Sequence, residues 1–191
     1  DESLKILRET NALLEGHFVL SSGLHSSQYI QCAKLLSQPK AAQAICSSLS
    51  EKIANAFKEI DLILAPAMGG IVVGYEVGRQ MNVETIFAER INKQLTLRRN
   101  FSIKPNTKVL IVEDVITTGK SAIECSNLIK SNNGVLIGYS CIIDRTGGKS
   151  LIKDDIISQI KFDIKTYEEK NIPPELKKIK ATKPGSRDFT K

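Results

Sequence analysis

The segment Val109–Ser121 constrains the fold of this 191-residue chain more than any other part of the sequence. Its apolar start is typical of a buried strand, which delivers Glu113 and Asp114 to its carboxyl end. A tight Thr-Thr-Gly turn follows, and a helix is predicted from Gly119. The N–H groups of such a turn, with nearby hydroxyl groups, suit a phosphate dianion. The carboxylates would repel that phosphate, so we expect them to bind sugar hydroxyls or to lie near a magnesium ion.

Two other interpretations of Val109–Ser121 fit its residues less well than a phosphate and sugar site does. Gly119-Lys120-Ser121 is similar to the end of a Walker A loop, but that motif requires a glycine five positions earlier, where the chain has Asp114. An ordinary strand-to-helix turn with two surface acids would not explain why strand, acid pair, turn, hydroxyl groups and helix occur together.

The rest of the sequence alternates between apolar runs and segments of helical periodicity. Strands separated by helices predict a parallel α/β sheet with right-handed crossovers. A hairpin is predicted after Gly16, with its turn at Ser21-Ser22-Gly23, and a late strand is predicted over residues 160–164. The other predicted strands cover residues 61–65, 83–88, 108–112 and 135–143, and the helices cover 3–14, 37–57, 71–81 and 119–131.

A basic segment lies between Arg90 and Lys108, with six basic residues and no acidic residue. No clear apolar period is present over residues 90–105, and a loop of that length is more often a functional lid than a connection. A nucleic acid or a small polyanion could bind it, although Phe101 is the only interleaved aromatic residue.

Cysteine and histidine usage excludes several metal centres. The four cysteines never form a C-x-x-C pair, and His17 and His25 are the only histidines, so any divalent cation would be held mainly by oxygen atoms. We expect buried thiols, and histidines at the surface. Without a stretch of roughly 18 apolar residues or a signal-peptide pattern, we expect a cytoplasmic protein that has no membrane partner.

Several segments carry a resemblance to a known family. Val109–Ser121 resembles the 5-phosphoribosyl-1-pyrophosphate (PRPP) signature of the type I phosphoribosyltransferases. Other segments resemble the orotate phosphoribosyltransferases in particular. They are the hood segment Phe18–Gly23, the pyrophosphate loop Ala65–Ile71, the mobile catalytic loop that begins at Phe87–Arg90, the orotate-binding Asp144-Arg145, and the C-terminal Lys183–Arg187.

The resemblance implies one phosphoribosyltransferase domain over residues 1–191. A parallel-sheet core, about residues 37–154, would have helices on both faces. A small hood, about residues 1–36 and 155–187, would combine the N-terminal hairpin with a C-terminal strand.

The implied activity is transfer of ribose 5-phosphate from PRPP to orotate. The products would be orotidine 5′-monophosphate and pyrophosphate, in de novo pyrimidine (UMP) biosynthesis. Magnesium is the implied cofactor, carried by PRPP near Glu113 and Asp114 without direct protein ligands. The implied assembly is a homodimer whose loop 90–105 reaches the neighbouring site, with no nucleic-acid partner.

The resemblance also assigns roles to individual residues. Catalysis is assigned to Arg90, Lys93 and Asp114, and orotate binding to Ser22, Gly23, Thr117 and Arg145. Cations around the leaving pyrophosphate would stabilise its charge, and a planar arginine suits the orotate carboxylate. PRPP binding is assigned to Met68, Gly69, Gly70, Arg90, Lys93, Glu113, Asp114, Val115, Ile116, Thr117, Thr118, Gly119, Lys120 and Ser121.

Some questions stay open in the sequence. Ser21 and Leu95 stand where many family members carry a lysine and a loop histidine, which leaves Lys93 as the main loop candidate beside Arg90, Arg98 and Arg99. A purine-base enzyme would share the PRPP segment without needing Arg145, and a non-catalytic PRPP-sensing regulator would use the basic regions to bind nucleic acid. Arg145 follows the phosphate turn by more than twenty residues, so we expect the two to act separately.

Overall fold

A computed structural model describes residues 2–20 and 22–184 of the chain. It divides into two compact units, one running up to Leu35 and again from Asp163 onward, the other spanning Leu36–Phe162. In chain order the elements are α1 (Glu2–Glu9), β1 (Leu13–Val19), β2 (His25–Ile30), α2 (Cys32–Leu36), α3 (Pro39–Ala56), β3 (Leu62–Pro66), α4 (Gly69–Met81), β4 (Glu84–Ile91), β5 (Gln94–Leu97), β6 (Lys108–Ile116), α5 (Lys120–Ser131), β7 (Val135–Asp144), β8 (Ile156–Lys161), β9 (Thr166–Tyr167), a 3₁₀ turn (Glu169–Asn171) and α6 (Pro174–Lys177).

The smaller unit is built on a three-stranded antiparallel sheet in the order β1-β2-β9. The predicted hairpin is confirmed, and its turn is closed by a hydrogen bond from the Gly23 N–H to the Leu20 carbonyl (2.9 Å). Gly23 has φ 83°, a left-handed conformation that glycine adopts without steric cost. The short strand β9 pairs with β2 and adds a third strand to the hairpin.

The first helix is shorter than predicted. α1 ends at Glu9, and Asn11 adopts a left-handed conformation (φ 55°) that terminates helices. The prediction that the helix continues to residue 14 is therefore wrong, because Leu13 and Leu14 pair with Ile30 and Tyr29 in the sheet.

The larger unit contains a six-stranded sheet in the order β5-β4-β3-β6-β7-β8. Five neighbouring strands run parallel, and β5 is an antiparallel edge strand. The predicted parallel α/β sheet is thus confirmed. β6 continues to Ile116, four residues beyond the predicted end, because it stays paired with β7 as far as Asp144.

Helices cover both faces of this sheet. Leu62 and Leu64 share a buried core with α5 residues such as Cys125. The alternate strand residues Ile63 and Ala65 lie beneath Gly74 of α4, on the opposite face. The family expectation of helices on both faces is confirmed, and the helices of the described chain include none long and apolar enough to cross a membrane.

Residues 90–105 are less irregular than predicted. Ile91 pairs with Gln94 across a two-residue turn, in which Asn92 and Lys93 both have positive φ (48° and 68°). Positive φ at both central residues is the type I′ geometry of tight β-hairpins. The expectation of a loop without strands is therefore wrong. The sequence did not indicate β5, because Leu95 (6% exposed) is its one buried residue and a single residue gives no apolar periodicity.

Two further local predictions are corrected. The late strand is β8, Ile156–Lys161, and residues 162–164 lie outside it. His17 is buried, with its Nδ1 2.9 Å from the Ile179 carbonyl and its Nε2 2.7 Å from Nδ1 of His25, so the surface prediction is wrong for it. All four cysteines are free and buried, as predicted.

Candidate active site

The central pair of strands, β3 and β6, sets the position of the site. From β3 the chain crosses through α4 to β4, and from β6 it crosses through α5 to β7 on the other side. The connections therefore diverge at the centre of the sheet, and ligands of open α/β sheets bind in the crevice that this divergence leaves at the carboxyl ends of the strands. The segments that follow β3 and β6 are the predicted pyrophosphate loop and phosphate turn.

The acid pair and the pyrophosphate loop are in direct contact. A Cβ atom placed on Gly69 would lie 2.6 Å from Oδ2 and 2.7 Å from Oδ1 of Asp114. Gly69 therefore permits the carboxylate of β6 to lie against the backbone that follows β3. Met68, joined to Ala67 by a cis peptide bond, is 83% exposed beside this contact.

Glu113 and Asp114 point to opposite faces of β6, since side chains alternate along a strand. Glu113 lies on the α5 side, where burial, and secondly the charge of Glu113, raise the pKa of the Cys125 thiol. Burial, and secondly the charge of Asp114, raise the pKa of Glu113 to about 8. Burial also raises the pKa of Asp114, although backbone hydrogen bonds oppose that shift. The site therefore holds carboxyl groups whose ionised forms a positively charged or hydroxyl-rich ligand would stabilise.

The phosphate turn, Thr117–Ser121, has the conformation predicted for it. Gly119 adopts φ 80° at the start of α5, and Thr118 Oγ1 accepts a hydrogen bond from the Lys120 N–H (3.4 Å). The N-cap residue of α5 is Gly119, which has no side chain to cap the helix. Thr117, Thr118 and Lys120 are exposed, so the turn presents hydroxyl groups and helix N–H groups to an incoming anion.

The loop after β7 packs against this turn. The Arg145 N–H donates to the Ile116 carbonyl (2.8 Å), and the Leu151 N–H donates to the Thr118 carbonyl (2.9 Å). A Cβ on Gly119 would lie 2.8 Å from Ser150 Oγ. Backbone hydrogen bonds thus join the two segments despite their separation in sequence. That the Arg145 side chain and the phosphate turn act separately stays a prediction.

The hairpin of β4 and β5 carries the basic residues. Arg90 Nη1 donates to the Glu124 carboxylate (2.9 Å) and to the Lys93 carbonyl (2.6 Å), which connects the hairpin to α5. Arg99 makes two hydrogen bonds to Glu89 and lies 5.6 Å from the centre of the Phe87 ring. Lys93 is exposed at the hairpin tip.

The remaining predicted residues are distributed as follows. Ser22 and Gly23 lie in the β1–β2 turn of the smaller unit, where the Leu24 N–H donates to Ser22 Oγ (3.4 Å). Ser21 and residues 185–187 lie outside the described residues.

Sequence reasoning missed Glu124 and the Ser150–Leu151 segment. The Arg90–Glu124 pair joins residues 34 positions apart, and no local pattern could have indicated it. The glycine-rich stretch before Ser150 was a visible sign of an ordered loop, but not of its contact with the phosphate turn.

The fold and the site together define a class of protein. The phosphoribosyl transferase domain family matches residues 31–178, and the chain belongs to that family. A crystal structure of orotate phosphoribosyltransferase from Aeropyrum pernix has the same fold, with a TM-score of 0.69, 22% sequence identity, and coverage of 83% of this chain and 92% of that one.

Sequence relatives narrow the class. The orotate phosphoribosyltransferase of Chlorobium phaeobacteroides is 44% identical over 184 residues, which cover 96% of this chain and 94% of that protein. The protein of the same name from Carboxydothermus hydrogenoformans is 42% identical over 183 residues, 96% of each chain. Within the phosphoribosyltransferases, this chain belongs to the orotate phosphoribosyltransferase family.

Proposed function

We propose that this chain transfers the phosphoribosyl group of PRPP to orotate, giving orotidine 5′-monophosphate and pyrophosphate for UMP synthesis. The observation that carries the proposal is the contact between Asp114 and Gly69 beside the phosphate turn, at the centre of the sheet. It brings one carboxylate of the acid pair against the glycine loop, at the end of β6 that leads into the start of α5. This arrangement suits a ligand with a ribose, a pyrophosphate and a second phosphate.

Each part of that crevice suits one part of PRPP. The 5-phosphate would accept hydrogen bonds from the N–H and hydroxyl groups of the Thr117–Ser121 turn. The ribose hydroxyls would donate to Glu113 and Asp114. The pyrophosphate would lie along Met68-Gly69-Gly70, where the absence of side chains on the two glycines lets backbone N–H groups approach its oxygens.

Magnesium fits this arrangement as a cation carried by the substrate. Glu113 and Asp114 offer oxygen atoms of the kind that magnesium prefers, but two carboxylates on opposite faces of one strand do not form an octahedral cage. PRPP oxygens and water would supply the other ligands. When bound, the ion would neutralise charge on the pyrophosphate, and it would also favour the ionised form of Glu113.

The reaction breaks the bond between C1′ and the pyrophosphate oxygen and forms a bond between C1′ and N1 of orotate. The proton of N1 leaves to the pyrophosphate or to solvent. Displacement at an anomeric carbon develops oxocarbenium character on the sugar and negative charge on the leaving group. Lys93 and Arg90 would face that charge when the hairpin closes over the substrate. Closure would also exclude water, whose attack on C1′ is the competing reaction.

Recognition of orotate is assigned to Arg145 and Thr117, with Ser22 and Gly23 from the hood. The hydrogen bond from the Arg145 N–H to the Ile116 carbonyl supports this assignment, because it holds the arginine next to Thr117. A guanidinium group can bind the orotate carboxylate through two parallel hydrogen bonds.

We also propose a homodimer in which residues 90–105 of one subunit reach the neighbouring site, in the cytoplasm. An exposed apolar stripe on and beside α4 supports the dimer, with Met68 83%, Val72 48% and Tyr75 64% exposed. Such a stripe is typical of a surface that another chain covers. The four free, buried cysteines suit a reducing compartment.

The test is an assay of pyrophosphate release with PRPP, magnesium and one base at a time. We expect turnover with orotate and little with adenine, guanine or uracil. Turnover with a purine alone would replace the proposal with a purine-base enzyme. Absence of turnover with every base, together with PRPP binding and nucleic-acid binding, would favour a regulator.

A further inference from the structure

Asp144, the last residue of β7, has a main chain that is fixed from both sides. It pairs with Ile116 of β6 and with Lys161 of β8 in the parallel sheet. Its carbonyl also accepts a hydrogen bond from the Phe162 N–H (2.8 Å). Since these backbone bonds do not involve the side chain, they would survive its replacement, and the side chain can be considered separately.

The Asp144 side chain holds the turn that contains Arg145. Its Oδ1 accepts a hydrogen bond from the Thr146 N–H (2.9 Å), which closes an Asx-turn around Arg145. The turn continues into a second bonded segment, because the Thr146 carbonyl accepts from the Lys149 N–H (2.8 Å) and Thr146 Oγ1 accepts from the Gly148 N–H (3.3 Å).

Arg145 is therefore constrained on two sides. The Arg145 N–H donates to the Ile116 carbonyl. On either side of Arg145, the Thr146 N–H donates to the Asp144 carboxylate. The direction of a Cα–Cβ bond follows from the local backbone, so these bonds set the direction from which the arginine side chain starts. Without the Asx-turn, the bond that fixes the residue after Arg145 is lost.

We propose that Asp144 is a positioning residue for orotate, acting through Arg145, an inference that rests on the proposed function. The Asx-turn needs an oxygen acceptor at Oδ1 but not a negative charge. Orotate is itself an anion, so the charge of Asp144 opposes its binding, and an asparagine, which provides the same acceptor, should replace the aspartate.

The experiment compares Asp144→Ala with Asp144→Asn and measures kcat/KM for orotate and for uracil, which lacks the carboxylate. We expect Asp144→Ala to reduce the orotate-to-uracil ratio about tenfold, mainly through the KM for orotate, because losing one charge-assisted hydrogen bond weakens binding by about this factor. We expect Asp144→Asn to keep the ratio within about threefold of wild type.

A double-mutant cycle tests whether the effect passes through Arg145. In an Arg145→Ala background, Asp144→Ala should cause no further fall in the ratio, because the side chain that it positions is absent. Asp61→Ala is the matched control, since it also removes a carboxylate acceptor for a backbone N–H, that of Lys108 (2.8 Å), but at the amino ends of β3 and β6. It should leave the orotate-to-uracil ratio unchanged.

Three outcomes would overturn the inference while leaving the proposed function standing. They are an unchanged ratio in Asp144→Ala with wild-type orotate turnover, an Asp144→Asn variant as impaired as Asp144→Ala, and an additive effect in the Arg145→Ala background. Failure of wild type itself to use orotate would instead reject the proposed function. Thermal unfolding of both variants, expected to match wild type within a few degrees, separates positioning from loss of the fold.

Discussion

Replacement of Gly69 by alanine tests the contact that carries the proposed function. The added Cβ would lie 2.6 to 2.8 Å from three atoms of the Asp114 carboxyl group. Nonbonded heavy atoms normally approach to about 3.5 Å, so the carboxyl group must move by roughly 0.7 to 0.9 Å. That group is the end of a side chain, which can rotate away without unfolding the sheet. We therefore expect the variant to fold and to lose PRPP affinity.

The size of the loss follows from the bonds that Asp114 would make. Hydrogen bonds to charged groups contribute about 1.5 to 3 kcal/mol each. Loss of one such bond to a ribose hydroxyl corresponds to a roughly 10- to 100-fold fall in kcat/KM for PRPP. The measurements are PRPP titration by calorimetry and steady-state kinetics at saturating orotate.

Gly78→Ala is the contrasting control. Its Cβ would meet the Val83 carbonyl at 2.7 Å and the Thr85 hydroxyl, away from the predicted site residues, so it should lower the melting temperature without changing the KM for PRPP in the folded protein. In an Asp114→Ala background, Gly69→Ala should have little additional effect. Gly69→Ala with wild-type PRPP affinity would refute the reasoning and show that the acid pair does not bind this substrate.

Three further substitutions test other parts of the site. Lys93→Ala should cut turnover far more than PRPP affinity, by about 3 kcal/mol in the barrier, and near-normal turnover in single-turnover kinetics would make it an ordinary surface lysine. Arg145→Ala should raise the KM for orotate and shrink orotate-to-uracil discrimination roughly 10- to 100-fold, with the KM for PRPP unchanged because the Ile116 and Thr118 hydrogen bonds are made by backbone atoms. The folded-state pKa of Glu113 is about 8, above its ordinary value of 4.5. Its contribution to the free energy of unfolding is therefore fully present below pH 4.5 and is lost as the pH rises to about 8. Over this interval the free energy of unfolding falls by about 1.4 kcal/mol per pH unit. Glu113→Gln should flatten the pH dependence of the free energy of unfolding over this interval in denaturant titrations, and an unchanged slope would contradict the cause assigned to the shift.

The elements that the sequence predicted best are those whose signals are local. β6 and the start of α5 follow from a buried apolar run, an acid pair and a glycine turn, and all of these lie within thirteen consecutive residues. α3 was predicted closely, because Pro39 marks its start and its apolar period is long. Such features depend on backbone preferences and on burial of one face, which neighbouring residues determine.

The features that the sequence did not predict depend on distant contacts. β5 is a strand because it pairs with β4, while its own composition contains few core residues. The apolar periodicity of α1 could continue through Leu13. However, the left-handed conformation of Asn11 follows the end of α1, and Leu13 pairs with Ile30 in β1. Predicting the contact between the Arg145 loop and the phosphate turn would require knowing that β6 and β7 are neighbouring strands, and in which register they pair.

The charges of the basic segment Arg90–Lys108 have a local explanation in the folded chain. A nucleic-acid surface would need cations available for phosphates, with aromatic faces open for stacking on bases. Phe101 instead packs edge-on against Phe87, with ring centres 5.2 Å apart, and Arg99 lies over the same Phe87 ring. Three of the cations are paired with acids from other parts of the larger unit: Arg90 with Glu124, Arg99 with Glu89, and Lys108 with Glu59. The other three cations are Lys93, Arg98 and Lys104, which are all exposed. Lys93 lies at the hairpin tip, where its charge suits a small polyanion such as pyrophosphate.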